Sequence, residues 1–269
     1  MRIRRRFGQH FLEPAWVRKL VELIDPQASD AFLEIGPGRG ALTLPLAAAA
    51  GRLVAVEIDR DLAAELGPRL PPNARLITAN VLTADLNAIL NHELAGAERV
   101  RVAGNLPYNV AVPILLKLVS LRRTFGGLTD ATVMLQQEVA NRIVAPPGTK
   151  DYGVLTILLR VHTEATRLLV LPPGAFRPAP KVTSAVVRLA FHPPRVTLQD
   201  EQGFETLVRT LFTRRRKTVL NALRLLTDPV GLSAADVLAN VGVDSRRRPE
   251  TLEVTELAAL ADFLAKQRK

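Results

Sequence analysis

Asn105-Leu106-Pro107-Tyr108 brings a carboxamide, a proline-bent backbone and a phenol into four consecutive residues. They follow a short apolar run, Val100 to Gly104, that reads as a buried strand. The set therefore falls at the carboxyl end of a strand, the edge of an open α/β sheet where ligands bind. The Asn105 side-chain oxygen and the Leu106 carbonyl can accept hydrogen bonds from an exocyclic amine, and the Tyr108 ring can stack on a flat base. This grouping suits a reaction at the amino nitrogen of adenine. Asn and Pro are also ordinary turn residues, so the same tetrapeptide could simply end a strand.

A second constellation lies upstream. Leu33-Glu34-Ile35-Gly36-Pro37-Gly38-Arg39-Gly40-Ala41 joins a first strand to a first helix. Gly36 and Gly38 permit backbone angles and close ligand approach that other residues resist. Glu57 ends the next strand, where a carboxylate can grip two ribose hydroxyls. This pattern points to an adenosine-containing cofactor without saying which one. Gly36, Gly38 and Ala41 even satisfy the loose dinucleotide fingerprint, so an NAD enzyme is a rival on these residues alone. Asn80, just past a third strand, could hydrogen-bond an adenine amine or serve only as a turn residue. The histidines His10, His92, His162 and His192 show no metal-ligand spacing, and no metal is expected.

Positioning these groups requires a core, and 269 residues with 48% hydrophobic content can build one, in one or two domains. The absence of cysteine excludes disulfides, zinc-thiolate sites and thiol nucleophiles. The apolar stretch Leu44 to Ala50 is too short to cross a bilayer, and the basic start lacks a signal-peptide apolar segment, so a soluble cytoplasmic protein is expected. Net charge is +10. Residues 1–20 carry six Arg/Lys against one acid, and residues 195–269 thirteen against ten, so positive charge gathers at the ends. The clusters Arg2 to Arg6, Arg214 to Lys217 and Arg246 to Arg248 suit phosphate backbones, or a solvated arginine-rich surface.

Periodicity then predicts the scaffold. A helix over Pro14 to Asp25 precedes strands at Ala31 to Ile35, Arg52 to Ile58, Ala74 to Ala79, Arg99 to Ala103 and Ala131 to Gln136. Helices are expected over Ala41 to Ala50, Asp61 to Leu70, Val110 to Leu121 and Glu138 to Val144. Alternation of this kind implies a parallel, doubly wound α/β sheet. Thr163 to Leu171 and Val182 to Phe191 read as an edge pair of strands around the proline-rich turn Pro172 to Pro180. After a boundary near His192 to Arg195 only helices are expected: Glu201 to Phe212, Thr218 to Leu226, Ser233 to Asn240 and Thr255 to Gln267. Ser233 with Asp236 reads as a helix cap and Gly242 as a helix stop. The expected domains are 1–193, with a covering segment at 1–13, and 194–269.

Several segments together resemble the ribosomal RNA adenine dimethyltransferases, the bacterial small-subunit branch in particular. They are Arg6 to Leu12, the glycine loop from Leu33 to Thr43, Val56 to Asp59, Gly104 to Asn109, Gln136 to Arg142, Tyr152 to Leu155, Phe176 to Val187 and Arg215 to Leu223. The resemblance spans about residues 4–225, in the family's order. It implies a Rossmann-like methyltransferase domain followed by a small helical RNA-binding domain, and S-adenosylmethionine as cofactor. It also implies N6,N6-dimethylation of two adjacent adenines in the 3′-terminal hairpin loop of small-subunit rRNA, within an assembling 30S particle, by a monomer without metal.

Carried over by position, the resemblance implies a cofactor pocket of His10, Leu12, Gly36, Gly38, Glu57, Asn80 and Asn105. The implied catalytic set is Asn105, Leu106, Pro107 and Tyr108, with Phe176 over the other face of the base. Arg214, Arg215, Arg216 and Lys217 would hold RNA. Two positions depart from the family pattern, which has Asn where this chain has His10 and Asp where it has Asn80. A large-subunit rRNA methyltransferase, which usually reads Asn-Ile-Pro-Tyr, a DNA adenine methyltransferase and a non-catalytic assembly factor on the same scaffold are the competing readings.

Overall fold

The structure, a computed structural model, describes residues 10–267. The expected cluster Arg2 to Arg6 and the start of the covering segment lie outside the described residues. In chain order the elements are β1 (Phe11–Leu12), α1 (Pro14–Ile24), β2 (Ala31–Ile35), α2 (Thr43–Ala49), β3 (Arg52–Glu57), α3 (Arg60–Leu66), β4 (Ala74–Thr78), α4 (Leu86–Glu93), β5 (Val100–Asn105), α5 (Ala111–Thr124), β6 (Leu128–Gln136) and α6 (Gln137–Val144). There follow α7 (Val154–Arg160), β7 (Thr163–Leu171), β8 (Phe176–Arg177), β9 (Ser184–Phe191), α8 (Glu201–Thr213), α9 (Val219–Thr227), α10 (Ala234–Asn240) and α11 (Val254–Gln267).

The chain divides into two units. The first holds residues 10–140 and Glu164–Phe191. Its seven-stranded sheet has the order β4-β3-β2-β5-β6-β9-β7. Strands β4, β3, β2, β5 and β6 are parallel, and β9 runs antiparallel to β6. This is a doubly wound, Rossmann-like sheet. Every residue of β2 is buried, as expected of a central parallel strand covered on both faces. One core cluster joins Leu20 and Ile24 of α1, Phe32 of β2, Leu46 of α2, Leu53 of β3 and Val186 of β9.

Chain order reverses between β2 and β5, because β3 and β4 lie on one side of β2 while β5 and β6 lie on the other. Such a switch point leaves a crevice at the carboxyl ends of the two strands. The close approach there depends on Gly104, where an added Cβ would stand 2.5 Å from the Ile35 carbonyl oxygen. A separate two-stranded ribbon pairs β1 antiparallel with β8, Phe11 opposite Arg177 and Leu12 opposite Phe176. Two-residue strands leave no periodic trace, and the sequence reading did not anticipate this ribbon. It also passed over α4, whose cap is Asp85 accepting from Ala88 N–H.

The second unit is helical and holds Asn141–Thr163 with residues 192–267. Residues 141–163 group with these helices rather than with the sheet. Tyr152, Ile157 and Val161 share a core with Phe204, Leu207, Leu223 and Leu257. The buried Tyr152 hydroxyl donates to the Leu252 carbonyl at 2.8 Å, and Gly148 N–H to the Glu250 carbonyl at 2.7 Å. Ser233 caps α10 by accepting from Asp236 N–H, and Gly242 adopts φ +72 just beyond that helix. No helix among the described residues is long and apolar enough to cross a membrane.

Candidate active site

The crevice is a cavity of about 630 Å3 bounded by the ends of β2, β3, β4 and β5. Its floor is the glycine turn after β2. Gly36 has φ +70 and Gly38 φ +57, both in the left-handed region that side chains resist. A Cβ on Gly38 would meet the Phe11 ring at 3.4 Å. Glu57, nearly buried at the end of β3, accepts from Gly38 N–H and Asp59 N–H, each at 2.9 Å. Its carboxylate is thereby fixed against the glycine turn before any ligand arrives. Asn80 sits in the turn after β4, where its Oδ1 accepts from Leu82 N–H at 3.0 Å. Lys117 of α5 braces that turn by donating to the Leu82 and Ala84 carbonyls at 2.9 and 2.7 Å.

Across the cavity stands the tetrapeptide. Leu106 N–H donates to the Met134 carbonyl of β6 at 2.9 Å, which ties the turn to the sheet. Asn105 Nδ2 donates to the His10 carbonyl at 3.0 Å. The amide nitrogen can only donate and the carbonyl only accept, so this bond sets the carboxamide orientation and leaves Oδ1 as an acceptor. The Tyr108 hydroxyl shares a 2.7 Å hydrogen bond with Ser184 Oγ, and burial pushes its pKa up. The phenol is thus neutral at physiological pH, held at its tip, with its ring on the cavity wall. His10, Leu12, Gly36, Gly38, Glu57, Asn80, Asn105, Leu106, Pro107 and Tyr108 all line this one cavity.

Phe176 does not join them. Its side chain is 0% exposed and packs into the core with Leu20, Ile24 and Ala175. The β1–β8 pairing turns Phe176 inward in this structure, where burying the whole ring is more favourable than exposing it. The basic tetrad also splits. Arg214, Arg216 and Lys217 are exposed, but Arg215 pairs with Glu250 and donates to the Thr149 carbonyl at 2.9 Å. Arg215 is therefore bound within the helical unit. The nearby Arg246 and Arg248 are exposed as well, on a loop whose Ser245 and Arg247 carbonyls accept from Leu220 and Val219 N–H of α9.

The residue that sequence reasoning passed over is Glu34. It is 1% exposed in β2, beneath the cavity, and its Oε2 has no hydrogen-bond partner. Burial, with a smaller push from Glu57, raises its pKa from the ordinary carboxylate value of 4.5 to about 8. A lone acid inside the otherwise apolar Ala31–Ile35 run was the available signal. An acid whose folded pKa is raised binds more protons folded than unfolded between those two values. Its contribution to stability is fully present below about pH 4.5 and is lost as pH rises toward 8. Glu34→Gln should therefore gain stability over the native chain across that window, on the order of 3 kcal/mol by pH 8. Urea unfolding at pH 5 and pH 8 checks this, and a difference between the two proteins that does not change with pH would refute it.

The sequence profile of the family described as ribosomal RNA adenine dimethylase matches residues 1–262. The chain belongs to this family. The ribosomal RNA small subunit methyltransferase A of Nitrosococcus oceani is 42% identical over 269 residues, covering 98% of this chain and 97% of that protein. The protein of the same name from Geobacillus kaustophilus is 44% identical, covering 96% and 89%. Among solved structures, a dimethyladenosine transferase from Plasmodium falciparum superposes with TM-score 0.75 at 24% identity, covering 93% of this chain and 96% of that one. The 23S rRNA methyltransferase ErmE gives TM-score 0.66 at 24% identity, covering 95% and 99%. Both share the fold. As a member of the ribosomal RNA adenine dimethylase family, the protein is an S-adenosylmethionine-dependent rRNA adenine methyltransferase.

Proposed function

We propose that the protein dimethylates N6 of two adjacent adenines in the 3′-terminal hairpin loop of small-subunit rRNA. It would act as a monomer on an assembling 30S particle in the cytoplasm. The observation that carries this reading is the Asn105 carboxamide, held by the His10 carbonyl at the mouth of the glycine-lined cavity. The small-subunit name shared by relatives at 42–44% identity supports it over the large-subunit alternative.

The cavity fits the cofactor. Gly36 and Gly38 leave room where a Cβ would be strained, Glu57 is positioned for ribose hydroxyls, and Asn80 and Leu12 line the remaining wall. With Oδ1 bonded to Leu82 N–H, Asn80 retains a second lone pair for an adenine amine but lacks the charge of an aspartate. Bound S-adenosylmethionine supplies a methyl group made electrophilic by its positive sulfur.

The protein's task is then to position the acceptor. The target base first leaves its stack, at a cost of a few kcal/mol. Tyr108 stacks on the freed base, worth roughly 1–3 kcal/mol. Asn105 Oδ1 and the Leu106 carbonyl accept the two amino N–H groups and turn the nitrogen lone pair toward the methyl. No strong base is required, because the methylated nitrogen is acidic and releases its proton to water. The decisive experiment maps methylated adenines on small-subunit rRNA after incubating unmethylated 30S particles with protein and cofactor. Dimethyladenines confined to other sites, or their absence, would overturn the assignment.

The helical unit supplies the RNA grip through the exposed cations Arg214, Arg216, Lys217, Arg246 and Arg248. Were all five to meet phosphates, log K against log salt would slope by roughly −3.5 to −4.5. Replacing Arg214 and Lys217 by Ala should reduce that slope by about 1.5. Arg215→Ala should instead lower stability, since Arg215 serves Glu250 and Thr149. Filter binding across a salt series tests the patch; an unchanged slope in the double variant would remove these two residues from the interface.

A further inference from the structure

We propose that Ser184 is the positioning residue for Tyr108: its hydroxyl anchors the tip of the phenol and holds the ring as a preset stacking face for the adenine. This rests on the reading of the tetrapeptide as the adenine site. The two side-chain oxygens lie 2.7 Å apart, although 76 positions separate the residues in the chain. Ser184 is 0% exposed and is the first residue of β9.

The sheet brings the two together. β6 lies between β5 and β9. Neighbouring strands are about 4.8 Å apart, so a link from the β5 turn to β9 crosses roughly 10 Å of sheet edge. The long tyrosine side chain, one hydrogen bond and the serine side chain together make that crossing. The phenol therefore lies over the carboxyl end of β6. Because β9 runs antiparallel to β6, its first residue arrives at that same end, with Ser184 opposite Gln136. The anchor is itself fixed, since Gln137 N–H donates to the Thr183 carbonyl at 3.0 Å. At the other end of the ring, Val110 N–H donates to the Pro107 carbonyl at 3.1 Å and closes the turn that carries Tyr108.

Packing alone asks for no oxygen at position 184. Ala185, Val186 and Val187 continue the strand, all fully buried and apolar. A buried hydroxyl is unfavourable unless it is bonded, and the phenol supplies the bond. What the pair provides is order. A side chain that is immobilised only when its ligand binds opposes affinity. Held at its backbone and at its oxygen, Tyr108 is ordered by folding instead, and the flipped base meets a face already set.

The test compares full-length Ser184→Ala, Tyr108→Phe and the double variant, methylating unmethylated 30S particles at saturating S-adenosylmethionine. Ser184→Ala should lower kcat/KM for the particle roughly 2- to 10-fold, the loss of one neutral hydrogen bond. Tyr108→Phe removes the same bond from the other side and should cost about as much. The double variant should be no worse than either single one, because both act through one interaction. The chain has two tyrosines, so 3-fluorotyrosine gives two fluorine resonances, assigned through Tyr108→Phe. Ser184→Ala should shift and narrow the Tyr108 resonance and leave that of Tyr152 in place. An unmoved Tyr108 resonance or native kcat/KM in Ser184→Ala would overturn the proposal. So would losses that add in the double variant, which would mean that Ser184 acts on packing and not through the phenol. Tyr108→Ala separates the two levels. If it lowers kcat/KM while Ser184→Ala does not, only the anchor falls; if Tyr108→Ala is itself native, no base stacks on this ring and the adenine reading falls with it.

Discussion

Asn105→Ala is expected to lower kcat for adenine methylation by about 10²–10³-fold, the range seen when one preorganised hydrogen-bonding group is removed from a reacting centre. The amino lone pair of adenine is delocalised into the ring and must be localised before it can attack. Acceptors aimed at both amino hydrogens favour the pyramidal nitrogen, and their bonds strengthen as positive charge develops there. This is interaction gained in the transition state rather than in the ground state, so the loss falls on kcat and not on KM. Asn105→Asp keeps an oxygen but replaces the N–H that meets the His10 carbonyl, setting a carboxylate against a carbonyl oxygen at about 3.0 Å. That variant should lose less than Ala in kcat and more in the order of the segment around His10. Single-turnover methylation of unmethylated 30S particles, with S-adenosylhomocysteine affinity measured alongside, separates these effects. A near-native single-turnover rate for Asn105→Ala would remove the carboxamide from the chemistry.

The scaffold was readable because its strands are apolar runs at the spacing of a βαβ alternation, and the site because its residues follow strand ends. Gly36, Glu57, Asn80 and Asn105 come from four separate strand ends, yet all line one cavity. What the sequence hid depended on tertiary contact. Phe176, in a proline-rich stretch, reads like an exposed loop aromatic, but pairing of Arg177 with Phe11 turns it into the core. Arg215 sits within an unbroken basic run, and only Glu250, 35 positions later, separates it from its neighbours in role. Tyr152 to Val161 has no local feature that distinguishes a strand edge from a helix packed in the second core. The ribbon of β1 and β8 is too short for any pattern, although it places His10 opposite Tyr108.

The largest stability effect is expected far from the chemistry, at Arg101→Met. Arg101 is the second residue of β5, 7% exposed and four residues before Asn105, roughly 13 Å along the strand. Its guanidinium bonds Asp30 at 2.8 Å, Asp130 at 2.7 Å and the Ile24 carbonyl at 2.7 Å, joining α1, β5 and β6 at the edge opposite the cavity. The two carboxylates raise its pKa against the opposing effect of burial. Methionine preserves much of the stem but leaves two buried or nearly buried aspartates without their cation. Breaking a buried pair in this way costs about 3–5 kcal/mol, whereas neutralising the whole cluster is often close to neutral. Arg101→Met should therefore unfold at markedly lower urea, and adding Asp30→Asn and Asp130→Asn should recover much of the loss. At 25 °C, while still folded, the single variant should methylate with near-native kcat, because the β5 end is held independently by the Leu106 bond to Met134 and the Asn105 bond to His10. A large fall in kcat at unchanged fold would mean that the two ends of β5 are coupled, and that the cluster orders the carboxamide as well as the sheet.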